Sequence, residues 1–155
     1  MTKILMVCTG NICRSPMAEG LMQKKIQDNG LNAVVDSCGF ESFHLGDNPD
    51  YRAVKIMKRN GIDISSHTMR LFRQQDFDHF DHILVMDQTH FRNVMRYART
   101  DADRQKVDFI MNATDYGSNA IVPDPYYGDE SDFELTYDLL DRATDAIARK
   151  LKTRK

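Results

Sequence analysis

Short apolar runs of strand type alternate along this chain with longer stretches in which apolar residues recur every three or four positions. The runs are Ile4–Cys8, Val34–Ser37, Ile83–Met86 and a short one at Val107–Met111. Between them the helical spacing predicts helices ending at about Asp28, from about Pro49 to Asn60, over about Thr89–Arg99, and from about Asp132 onward. Asn29-Gly30 and Asn60-Gly61 stop the first two. In the last, Phe133, Tyr137, Leu140, Ala143, Ala146 and Ile147 form a core stripe opposite Asp and Arg. This alternation implies an α/β domain with a parallel sheet covered by helices on both faces. No composition shift or repeat divides the chain, so residues 1–155 are expected to form one domain. Ligands of such sheets bind beyond the carboxyl ends of the strands, and Cys8 ends the first strand.

Between that strand and the helix opened by Pro16-Met17-Ala18-Glu19 lies Cys8-Thr9-Gly10-Asn11-Ile12-Cys13-Arg14-Ser15. A tight strand-to-helix turn aims backbone N–H groups and the positive end of a helix dipole at one point, which suits an anion. Gly10 and Asn11 are the residue types that most readily take positive φ, as a ring of inward N–H groups requires. Cys8 supplies a thiol that such a collar would ionise, Arg14 a guanidinium suited to hold a phosphate by paired hydrogen bonds, and Ser15 a hydroxyl for the sulfur. Cys-x5-Arg by itself is a weak signal; its placement among glycine, asparagine and proline, after a strand and before a helix, strengthens it.

Composition narrows the classes. The formal net charge of −2 gives no basic field for nucleic acid. The basic end at about 150–155 reads as a solvated tail. No run of eighteen apolar residues exists, so no membrane span or export segment is expected. Three cysteines make no disulfide framework, and a nucleophilic thiol suits a reducing cytoplasm. The five histidines are scattered, none at zinc-site spacing from a cysteine, so neither metal nor other cofactor is expected. The nine methionines fall at helical spacing or in apolar runs and read as core filler.

The Cys8–Pro16 segment resembles the signature loop of the low-molecular-weight protein tyrosine phosphatases. Val122-Pro123-Asp124-Pro125-Tyr126-Tyr127-Gly128 resembles that family's general-acid loop, and Phe80–Asp87 its internal strand. Val35-Asp36-Ser37, Arg52-Ala53 and Gly61-Ile62 follow in the expected order, so the likeness covers essentially the whole chain. It implies a three-layer α/β/α fold, Rossmann-like, around a central four-stranded parallel sheet. The activity implied is hydrolysis of phosphotyrosine in proteins or peptides through a cysteinyl-phosphate, by an expected monomer whose site phosphate or vanadate would occupy.

The same resemblance assigns roles. Cys8 is the nucleophile, Arg14 the clamp on the phosphoryl oxygens, and Ser15 the hydrogen-bond donor to sulfur. Asp124, stiffened between two prolines, gives its proton to the leaving oxygen and later takes one from water; alone, Pro-Asp-Pro reads as a turn. Thr9, Gly10, Asn11, Ile12 and Cys13 line the anion site. Tyr126 and Tyr127 wall a slot for a phenyl ring, with Phe43 and His44 facing them or simply packing their loop. Ser37, His67, Asp87 and Asp50 support the loop, Ser37 by a bond to Asn11, although the family usually has proline between the residues matching Asp50 and Arg52. Cys13, five residues from Cys8, either packs the loop or joins Cys8 reversibly on oxidation; Cys38 reads as an inert core thiol.

Three other readings stand beside this one. A related branch of protein-arginine phosphatases carries threonine where this chain has Ile12. An arsenate reductase shares the loop but needs a downstream cysteine pair that the His82–Thr89 region lacks. A phosphotyrosine-binding module without catalysis would need neither Cys8 nor Asp124.

Overall fold

The computed structural model describes residues 1–153, without the side chain of Phe43; Arg154 and Lys155 of the expected basic tail lie outside the described residues. The strands are β1 (Thr2–Val7), β2 (Ala33–Cys38), β3 (His82–Val85) and β4 (Val107–Phe109). The helices are α1 (Arg14–Asp28), α2 (Tyr51–Arg59), α3 (Asp76–His79), α4 (Gln88–Met95), α5 (Asp101–Gln105) and α6 (Glu130–Thr153). All neighbouring strands are parallel, in the order β2-β1-β3-β4.

Alternation along β1 sorts its side chains into two cores, because successive residues of a strand face opposite sides of a sheet. Ile4 and Met6 pack with Met17 and Leu21 of α1, Met57 of α2 and Leu140 and Ala143 of α6. Leu5 and Val7 pack with Ile83 and Val85 of β3, Phe77 of α3, Val94 of α4 and Phe109 of β4. The product is three layers, with Ile4–Val7 of β1 buried on both faces, which is why that run is continuously apolar. The chain leaves β1 for β2 on one side and returns to β3 on the other. The reversal opens a crevice beyond the carboxyl ends of β1 and β3, where ligands of such sheets bind.

Several boundaries differ from the pattern-based expectation. Helix α1 starts at Arg14, two residues before Pro16, because the first four N–H groups of a helix have no intrahelical acceptor and proline there forfeits nothing. Helices α3 and α5 are too short and polar to carry a readable period. The expected run Val107–Met111 splits, with Ile110–Ala113 forming a 3₁₀ turn, and α4 ends at Met95 rather than Arg99.

Candidate active site

The loop after β1 is held in shape from behind. Asn11 takes a left-handed φ of 55° and its side chain is wholly buried. Its Nδ2 donates to Ser15 Oγ at 2.7 Å and Ser37 Oγ at 3.0 Å. Its Oδ1 accepts from the Arg70 N–H at 3.3 Å and meets His67 Nε2 at 3.0 Å. Asn11 thus satisfies four partners from a conformation few other residues adopt. The expected Asn11–Ser37 bond is present, but the Asn11 side chain is turned away from the anion side and does not line the cavity described below. His67, expected to support the loop, does so from an irregular segment. A parallel bridge between Gly39 and Leu71 and the bond from Gly39 N–H to Arg70 O at 3.0 Å bring that segment beside β2.

Gly10 corrects an expectation: its φ is not positive. A Cβ there would instead lie 3.0 Å from the His44 ring, which would have to give way slightly to admit it. The tighter approach is at Gly39, where a Cβ would stand 2.7 Å from Thr9 O and 2.9 Å from Asn11 N. Gly39 lets the end of β2 press directly on the loop, and the Phe40 N–H donates to Thr9 O at 2.8 Å. A lone glycine after a strand gave no sequence cue to this contact.

Cys8 is buried, its Sγ 2.9 Å from Ser15 Oγ and accepting from the Ser15 N–H at 3.4 Å. Arg14 is buried as well. Its Nη1 donates to Val122 O at 2.8 Å and to Asp87 Oδ2 at 3.1 Å, and its Nη2 lies 3.7 Å from Asp124 Oδ2. The Nε–H has no partner among the described residues, so it and Nη2 are the donors left to an anion. Asp87 also caps α4, accepting from the His90 N–H at 3.1 Å, so one carboxylate starts a helix and steadies the guanidinium.

Sequence reasoning missed His90. It is fully buried, with Nε2 2.5 Å from Thr9 Oγ1 and 3.5 Å from Arg14 Nη2. Burial and the neighbouring Arg14 push its imidazole down to about 4, against the opposing pull of Asp87 and Asp124. Glu19 was missed too: it accepts from Ser37 Oγ at 2.6 Å behind the loop, and burial raises its carboxyl. No periodicity marks either residue, because each is recruited by a neighbour far along the chain.

Opposite Cys8 runs the 122–128 segment. Val122 N–H donates to Met86 O at 2.8 Å, fastening the segment to the end of β3. Asp124, 43 % exposed, turns its Oδ1 to the Tyr126 N–H at 3.0 Å. Arg52, also unforeseen as a site residue, ties this segment down. Its guanidinium donates to Tyr126 O at 2.8 Å and Gly128 O at 3.3 Å and lies 4.7 Å over the Phe133 ring. It also grips Asp50 with two bonds, Nε to Oδ1 at 3.0 Å and Nη2 to Oδ2 at 2.9 Å. Burial alone would raise the Asp50 carboxyl, but those bonds hold it below its ordinary range. The Asp50 N–H in turn donates to Ile12 O at 2.8 Å. Asp50 therefore supports the loop through its backbone while Arg52 links it to the opposite wall, and the tyrosine between them is no obstacle.

These elements enclose a cavity of about 180 Å³ lined by Cys8, Thr9, Gly10, Ile12, Cys13, Arg14, His44, Asp124, Tyr126 and Tyr127, together with Glu41, which sequence did not suggest. Tyr126 and Tyr127 pack edge to face with centroids 4.9 Å apart at its mouth, Tyr127 being 91 % exposed. Phe43, expected beside His44, has its side chain outside the described part of the structure. Cys13 is buried, and burial pushes its thiol well up; Cys38 is sealed in the core and raised by the same cause. All three cysteines are free. Among the described residues no helix is long and apolar enough to cross a membrane.

A thiol and a guanidinium at the floor of one small cavity, with a carboxylate and two aromatic rings on its rim, fit an aryl ester of phosphoric acid. Comparisons with known proteins agree. Residues 3–155 match the family model described as low molecular weight phosphotyrosine protein phosphatase. The low molecular weight phosphotyrosine protein phosphatase of Schizosaccharomyces pombe is 40 % identical over 143 residues, covering 88 % of this chain and 90 % of its own. The crystal structure of a protein tyrosine phosphatase from Entamoeba histolytica, with Hepes in the active site, superposes with a TM-score of 0.91 at 35 % identity, over 99 % of this chain and 98 % of that one. Vibrio vulnificus Wzb in complex with benzylphosphonate gives a TM-score of 0.84 at 32 % identity, over 96 % and 98 %. The chain belongs to the low molecular weight phosphotyrosine protein phosphatase family, an enzyme family.

Proposed function

We propose that this protein hydrolyses phosphotyrosine in proteins or peptides, and small aryl phosphates, through a cysteinyl-phosphate. The observation that carries the reading is that Cys8, Arg14 and Asp124 face one cavity, the last two 3.7 Å apart. The Cys8 thiolate attacks phosphorus from the cavity floor while Arg14 and the loop N–H groups hold the equatorial oxygens. Fixed donors in a dry site stabilise the charge that spreads over those oxygens in the transition state. As the P–O bond breaks, Asp124 gives its proton to the phenolic oxygen, whose pKa near 10 makes it a poor leaving group unaided. A water then attacks phosphorus, its proton passes to the Asp124 carboxylate, and the P–S bond breaks. Phosphate leaves, and the sulfur departs as a thiolate stabilised by the Ser15 hydroxyl, 2.9 Å away.

Tyr126 at the mouth and apolar Ile12 at the floor favour a flat phenyl ring over a guanidinium, and the benzylphosphonate held by Wzb has that shape. The arsenate-reductase reading lacks the downstream cysteine pair it needs, the third cysteine being Cys38, sealed in the core before that region. A nucleophilic thiol suits a reducing compartment, hence the cytoplasm. Turnover of p-nitrophenyl phosphate by wild type, Cys8→Ser and Asp124→Ala tests the scheme. Cys8→Ser should lose activity completely and Asp124→Ala only in part on this acidic leaving group, and an active Cys8→Ser removes the cysteine mechanism. Equal rates on phosphotyrosine and phosphoarginine peptides would overturn the substrate assignment.

A further inference from the structure

Three groups of the phosphate site converge on one ring that the scheme above does not use. His90 lies in the first turn of α4 with no solvent exposure. Its Nε2 faces Thr9 Oγ1 at 2.5 Å and Arg14 Nη2 at 3.5 Å. Arginine can only donate, so the atom turned to it must present a lone pair. The proton of the neutral ring then sits on Nδ1. That atom is the one buried side-chain nitrogen or oxygen among the described residues without a hydrogen-bond partner, and it lies 3.4 Å from Asp87 Oδ1. A ring flipped to the other tautomer would point a hydrogen at a guanidinium. An imidazolium would do the same and add a second buried cation.

We propose that neutral His90, protonated on Nδ1, is a positioning residue for the phosphate clamp, its Nε2 lone pair holding Thr9 and the outer nitrogen of Arg14 in line with the anion site. The inference rests on the phosphatase reading. Nη1 of Arg14 is anchored by Asp87 and Val122 O, which leaves the tilt of the rigid guanidinium plane about that anchor, and with it the position of Nη2, to be settled. Two acceptors compete for it, His90 Nε2 at 3.5 Å and Asp124 Oδ2 at 3.7 Å. Without His90 the guanidinium would settle on the Asp124 carboxylate, tying up the proton donor and withdrawing a donor from the phosphate together. The charged groups facing the ring are Arg14, Asp87 and Asp124, and burial beside Arg14 keeps it neutral at ordinary pH.

The test compares His90→Leu, which fills the space without an acceptor, and His90→Gln, whose amide oxygen restores one near Nε2. Inhibition by vanadate reads the clamp directly. His90→Leu should weaken vanadate about tenfold and lower kcat, and His90→Gln should recover to within about threefold of wild type, the scale of a lost hydrogen bond to a charged group. Imidazole nitrogen NMR of the unliganded wild type should show His90 protonated on Nδ1. The proposal falls if folded His90→Leu binds vanadate like wild type, if both variants are equally impaired, or if Nε2 carries the proton. Should His90→Leu fail to fold, the NMR spectrum and His90→Gln decide alone. Retained turnover in Cys8→Ser would instead strike the phosphatase reading, and the tautomer would still be readable.

Discussion

Replacing Asn11 by alanine would remove the one side chain that satisfies four partners behind the phosphate loop: Ser15 Oγ, Ser37 Oγ, His67 Nε2 and the Arg70 N–H. Each buried hydrogen bond contributes about 1 kcal/mol net, so the four together amount to about 4 kcal/mol. Alanine at the φ of 55° adds about 1 kcal/mol, because its Cβ crowds the following carbonyl in the left-handed region. Water entering the space offsets part of this, which leaves an expected loss of about 3 kcal/mol or more. For a chain of this size that is a fall of roughly 10 °C in Tm. Asn11→Gly separates the two causes: it loses the same bonds but no strain, and should be about 1 kcal/mol more stable than Asn11→Ala. Urea unfolding of the three proteins measures these differences, and p-nitrophenyl phosphate turnover follows the site. Ser15 is left free to turn from sulfur, so kcat should fall about tenfold or more in both variants. A loss under about 1 kcal/mol with unaltered kcat would refute the claim that Asn11 holds the loop.

Other consequences can be measured alongside. Arg52→Ala releases the 122–128 segment and should lower kcat for aryl phosphates about tenfold while vanadate affinity stays within about twofold, since Arg52 does not line the anion cavity; an equal loss in both would place Arg52 elsewhere in the mechanism. Gly39→Ala drives a methyl to 2.7 Å from Thr9 O and should cost about 1–3 kcal/mol with reduced turnover, and a stable, fully active variant would show that the loop can yield there. The depressed His90 imidazole makes folding pH-dependent in a defined direction. Its contribution is complete above 6.5 and is lost as pH falls toward about 4, the unfolded chain taking the proton first; the full swing is about 3 kcal/mol. Urea titrations across that window should show wild type losing stability faster than His90→Gln on acidification, and parallel slopes would contradict it. Asp124→Ala should slow esters of weakly acidic phenols far more than those of nitrophenols, and a uniform effect would deny Asp124 its proton-donor role.

Much of this was readable along the chain because it depends on neighbours in sequence. The apolar run Ile4–Val7 announces a strand buried on both faces, and the spacing from Cys8 to Arg14 places thiol and guanidinium on one turn whatever surrounds it. A left-handed residue at Asn11 is equally local. What escaped were groups whose meaning depends on contacts across many residues. His90 reaches Thr9 across 81 positions, and Arg52 reaches Tyr126 across 74. Gly39 matters because another backbone lies against it, and no periodicity records such an approach. Gly10 shows the same limit from the other side: its residue type suggested a special backbone angle, whereas what the fold sets against it is the His44 ring, 3.0 Å from where a Cβ would stand. Chemistry carried by one turn is inscribed in its own residues; the acceptors and anchors that aim it exist only once the parallel sheet brings β1, β3 and the 122–128 segment to one crevice, because hydrogen bonds act over about 3 Å and not along the chain.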